Sequence, residues 1–62
     1  MADTNKLIEW VEATIKNGVN LTTWEQEFIE SMETKIEMYG DRTIFSKNMA
    51  EQIERIYTER VP

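Results

Sequence analysis

The sequence predicts an all-α protein, a small bundle of three helices at residues 4–17, 23–39 and 47–60. Three observations carry this expectation. Apolar residues recur at spacings of three and four in three separate segments. Side chains that cap helix N-termini stand at the head of each segment. Alternation of apolar with polar is confined to short runs such as Val11–Lys16, which also fit the helical spacing of their segment, so no half-buried strand or hairpin is read.

In the first segment Leu7, Ile8, Val11 and Ile15 share one helical face, with Trp10 on its margin. Asp3, Thr4 and Asn5 are the candidate caps. Asn17-Gly18 is the expected stop, with Gly18 taking a left-handed C′ conformation. Gly18-Val19-Asn20-Leu21 then reads as a short connection. The second segment opens with Thr22-Thr23-Trp24-Glu25, which fits a capping box: the Thr22 hydroxyl accepts from the Glu25 amide while the Glu25 carboxylate reaches back. Trp24, Phe28, Met32, Ile36 and Tyr39 make its stripe, Ile29 widens it, and Gly40 ends it. The third is capped by Ser46, with Phe45 placed to pack on Ala50 as a hydrophobic staple. Its inward stripe is Met49, Ile53, Ile56 and Tyr57.

Short connections favour antiparallel neighbours, which gives a compact bundle. Its expected core is Leu7, Ile8, Val11, Ile15, Leu21, Trp24, Phe28, Ile29, Met32, Ile36, Tyr39, Ile44, Phe45, Met49, Ile53, Ile56 and Tyr57. Sixty-two residues make a single domain, 1–62, near the lower size limit for folding alone. The apolar supply is modest, and Trp10 and Tyr57 leave apolar atoms at stripe borders. A homodimer or weak self-association is the corresponding expectation.

Composition narrows the chemistry. The chain has no cysteine and no histidine, which removes thiolate and imidazole ligands and the usual neutral-pH general base. Paired carboxylates need a cleft that separates their pKa values, and a bundle this small has little room for one. Ser31 and Ser46 have no histidine to activate them. Glycines and acids lack EF-hand spacing, and Gly40-Asp41-Arg42-Thr43 lacks the lysine of a phosphate-binding loop. No catalytic, cofactor-binding or metal-ligating residue is therefore assigned, and the expectation is a protein that is not an enzyme. The N-terminal residues Met1–Trp10 lack the apolar run of a signal peptide, and no stretch is apolar enough for a membrane span. Absence of cysteine suits a reducing compartment, so a cytoplasmic protein without membrane contact is expected.

The charge is uneven. Overall it is −5, and residues 21–41 account for nearly all of it: Glu25, Glu27, Glu30, Glu33, Glu37 and Asp41 stand against Lys35 alone. Glu30, Glu33 and Glu37 fall opposite the apolar stripe of the second helix, with Glu27 at the edge of that line. A helix charged only for solubility usually mixes signs, whereas Glu33 and Glu37 form a repelling i, i+4 pair. This acidic line and Trp10, an aromatic of the kind enriched at interfaces, are the candidate partner-binding residues. The third helix offers an alternative nucleic-acid face in Lys47, Asn48, Gln52, Arg55 and Arg60. Against direct DNA binding stand the acidic total, the interspersed Glu51, Glu54 and Glu59, and a connection too long for a helix-turn-helix.

The stretches LTTWEQEFIESM (21–32) and FSKNMAEQIERIY (45–57) resemble a short helical module of bacteriophage-encoded accessory proteins. In that pattern Leu-Thr-x-Trp-Glu opens one helix and a Ser-capped helix ending in Ile-Tyr follows. The resemblance spans residues 20–60, and some carriers resemble replication or recombination accessory proteins. It implies a viral or mobile-element accessory protein, working in the host cytoplasm. Together with the residues, it gives the expected function: a small acidic factor that binds and modulates a protein partner, host or phage nucleic-acid machinery, through an acidic helix face. The alternative is a replication or recombination module that contacts nucleic acid through the third helix.

Overall fold

A computed structural model describes residues 3–62. Among these, three α-helices appear, α1 (Thr4–Asn17), α2 (Thr23–Tyr39) and α3 (Lys47–Arg60), with a 3-10 turn at Gly40–Arg42 and no strand. The caps explain the boundaries. Asp3 accepts from the Lys6 amide to open α1. Thr22 and Glu25 complete the capping box of α2, at 3.1 Å from the Glu25 amide to the Thr22 hydroxyl and 2.9 Å from the Thr22 amide to the Glu25 carboxylate. Ser46 accepts from the Met49 amide to open α3.

The chain runs up, down and up, and α1 is the middle member. It packs against both other helices, whereas α2 and α3 hardly approach along their backbones and meet through side chains. The Val19 amide donates to the Arg60 carbonyl at 2.9 Å, which pins the α1–α2 connection to the end of α3. Leu7, Val11, Ile29, Met32, Ile53 and Ile56 form the buried core. Phe28, Ile36, Leu21, Phe45, Met49 and Ala50 pack around it half-buried, and both members of the expected Phe45–Ala50 staple are in this shell.

Four expected core residues lie at the surface: Ile15 (43% exposed), Trp24 (54%), Tyr39 and Ile44 (78%). Helical phase accounts for the helical ones. In α1 the residue in register with Leu7 and Val11 is Thr14, so Thr14 is buried and Ile15 sits one step round the helix. The Thr14 hydroxyl is satisfied by donating to the Trp10 carbonyl at 2.7 Å. In α2 the buried face centres on Glu25, Ile29 and Met32. That face is turned by roughly 30° from the centre of the apolar stripe, at about 100° per residue. Trp24 and Tyr39 therefore leave the core and Glu25 enters it. In the second connection Thr43 turns inward and bonds the Gly40 carbonyl, leaving Ile44 outside.

Gly18 also departs from expectation. Its φ is −66°, and the left-handed residue of that connection is Asn20, at φ 58°. Gly18 is required for space instead: a Cβ there would press on the Thr14 carbonyl oxygen and lie 2.9 Å from Leu21 Cδ1. Gly40 has the positive φ, 58°, that lets α2 break into the 3-10 turn.

Candidate functional site

The acidic residues of α2 divide into two groups that behave differently. Glu25 is 3% exposed. The capping box fixes its backbone at the N-terminal end of α2, and the up-down-up path brings the last turns of α3 beside it. Arg55 Nη1 donates to its Oε2 at 3.1 Å and Arg60 Nε to its Oε1 at 3.0 Å. The hydrogen bond from the Thr22 amide holds its carboxyl below the ordinary glutamate range, against the opposing effect of desolvation, and the two arginines add to the lowering. Arg55 also pairs with Glu59 at 3.4 Å and donates to the Gln52 side-chain oxygen. No buried polar side-chain atom among the described residues lacks a partner. This cluster ties α2 to α3, whose backbones hardly approach each other.

The same cluster engages three residues of the alternative nucleic-acid face. Arg60 falls in phase with Ile53 and Ile56, so it turns in at the last turn and is half-buried. Arg55 is turned to Glu25 and Glu59, and Gln52 is occupied by Arg55. Lys47 and Asn48 are exposed at the far end of α3. The five residues do not form one cationic surface.

Glu27, Glu30, Glu33 and Glu37 form the second group. None makes an ion pair among the described residues, and neither does Lys35. Glu27, Glu30 and Glu37 are exposed and Glu33 is half-buried. Gln26 donates to Glu30 at 3.3 Å. The rotation of the buried face alters their expected placement. Glu30 and Glu33 do not stand on the side farthest from the core; they line the α2 wall of a half-open groove that α2 shares with the C-terminal half of α1. The groove has a volume of about 660 Å³, and Ile15, Leu21 and Ile29 supply its apolar lining.

Trp10, expected at the margin of the α1 stripe, is half-buried and stacks on Tyr57, with ring centroids 5.3 Å apart and planes 19° from parallel. The two border aromatics thus cover each other. Trp24 is the more exposed tryptophan, stacked on Phe28 at 5.3 Å and 9°.

Sequence reasoning missed the burial of Glu25. The signal was present: Glu25, Ile29 and Met32 are spaced four and three apart, so the carboxylate shares the core's phase. Its arginine partners lie 30 and 35 residues away, beyond the reach of local pattern. Among the described residues no group of three acidic side chains converges as a metal site requires. No helix among them is long and apolar enough to cross a membrane. Comparison of the chain with protein-family models, with curated proteins and with solved structures finds no match.

Proposed function

We propose that this chain is a small non-enzymatic interaction protein whose acidic α2 flank binds a basic surface on a protein partner, and that it serves as a phage-type accessory factor acting on nucleic-acid machinery. The observation that carries the reading is the contrast within the charges. Glu27, Glu30, Glu33 and Glu37 have no ion pair among the described residues, while Arg55 and Arg60 are both engaged by Glu25. A charge left unpaired on one flank offers its full field to an incoming surface and steers encounter. The phage-type assignment rests on the resemblance of residues 20–60 alone.

The alternative, contact with nucleic acid through α3, has less support. Its arginines are half-buried and neutralised, and the whole chain carries −5, which opposes a phosphate backbone.

Affinity capture with the wild type and with the variant E27Q/E30Q/E33Q/E37Q tests the proposal. The expected result is a partner held by the wild type at low salt and lost from the variant, with both proteins folded by circular dichroism. Equal capture by both would assign the glutamates to solubility. Titration with random duplex DNA separates the alternative. No saturable binding is expected at physiological salt, and a micromolar dissociation constant with a steep salt slope would transfer the function to α3.

A further inference from the structure

The acidic flank is one wall of the groove between α1 and α2, and this determines what fits there. We propose that this groove is a docking site for an amphipathic helical segment of a partner protein, presenting aliphatic side chains flanked by lysine or arginine. The proposal rests on the acidic-flank reading and specifies its partner.

Two packed helices leave a valley on each side of their contact. In this chain α3 lies on one side of α1 and α2, and its side chains fill the core there. The other valley is the groove, and nothing in the described chain occupies it. A helix laid in it would occupy the place of a fourth bundle member. The α2 wall runs from Gln26 to Thr34. At 1.5 Å per residue this is about 12 Å, or a little over two turns, so a short segment suffices.

The lining sets the chemistry. Ile15 is 43% exposed and, with the half-buried Leu21, offers apolar surface for aliphatic anchors above the buried Ile29. Glu30 and Glu33 stand beside that surface, and no lysine or arginine lines the groove. Glu33 is half-buried and makes no ion pair among the described residues, so its carboxylate is not already engaged by a lysine or arginine there. An acidic segment would be repelled, and a neutral apolar one would bring neither carboxylate a cation. The occupant selected is therefore apolar on one stripe and basic beside it, the helix-in-groove mode of recognition.

The probe is a synthetic amphipathic peptide of three turns, with leucines at i, i+3 and i+7 and flanking lysines. It is titrated into isotope-labelled full-length protein and followed by amide chemical shifts. Saturable shifts centred on Ile15, Leu21, Ile29 and Glu33 are expected. Replacing the peptide leucines by alanine should abolish binding. Replacing its lysines by glutamine, or using E30Q/E33Q protein, should weaken binding about three- to tenfold, the range expected of partly exposed charges. I15S changes an exposed position, so the fold should be retained and binding lost. Shifts centred on Trp24 or on Met38–Ile44, equal binding of a scrambled peptide, or undiminished binding to I15S would each overturn the proposal.

The two readings fail separately. A captured partner lost from the four-glutamine variant but retained by I15S would overturn the groove and leave the acidic flank standing. A peptide bound through Ile15 with no dependence on its lysines or on Glu30 and Glu33 would overturn the basic occupant of the groove, while the acidic-flank reading would still be decided by capture with the four-glutamine variant.

Discussion

Replacing Glu25 by glutamine keeps the side chain's length and its capacity to accept from the Thr22 amide, but removes the charge that Arg55 and Arg60 approach at 3.1 and 3.0 Å. A hydrogen bond to a charged group contributes about 1.5–3 kcal/mol when well sheltered. Here the arginine side chains are 39% and 28% exposed, so solvent screens both bonds and rehydrates the guanidinium groups once the carboxylate is gone. The expected loss is therefore about 2 kcal/mol for the pair rather than the sum of two sheltered bonds. A chain of 62 residues has a total stability of roughly 3–9 kcal/mol. The melting temperature should accordingly fall by roughly 8–16 °C. Thermal melts followed by far-ultraviolet circular dichroism measure this at pH 7. Acid provides the second arm. The folded pKa of Glu25 lies below its unfolded value, so the charge-dependent stabilisation is fully present above about pH 4.3 and is lost as pH falls through the folded value. The gap between wild type and E25Q should be full at pH 7 and should close as pH falls through the lowered folded pKa of Glu25. A shift smaller than about 2 °C at neutral pH, or a gap that persists undiminished in acid, would refute the assignment of this junction to the carboxylate charge.

Two further stability outcomes follow from the packing. Gly18→Ala places a Cβ against the Thr14 carbonyl oxygen and 2.9 Å from Leu21 Cδ1, so a loss of about 1–3 kcal/mol is expected in chemical denaturation; an unchanged midpoint would show that the connection yields freely. Ile53→Ala, at a site with 0% exposure, should cost about 2–5 kcal/mol. Ile44→Ser, at 78% exposure, should stay within about 0.5 kcal/mol, and equal effects of the two substitutions would contradict the core described above.

Much of the architecture was legible in the sequence because its causes are local. Asp3, Thr22 and Ser46 act on amides three residues ahead, and Gly40 breaks α2 through its own backbone freedom, so three helices and their ends follow from short stretches of chain. The acidic excess of residues 21–41 is likewise a property of the sequence alone. What tertiary structure decided is which side of each helix faces in. An apolar stripe defines that direction only to within a few tens of degrees, because a residue at its margin can be covered or left open depending on where the neighbouring helices lie. Thr14 entered the core in place of Ile15, and Glu25 in place of Trp24. The burial of Glu25 became tolerable only when α3 ended beside it, bringing two arginines from 30 and 35 residues away. The same rotation moved Glu30 and Glu33 from the far side of α2 to the wall of a groove. A glutamate's role is set by what desolvates and neutralises it, and those groups come from other helices. The sequence by itself therefore determined the helices and their net charge, while the assembled bundle decided which charges pair across helices and which stay unpaired among the described residues.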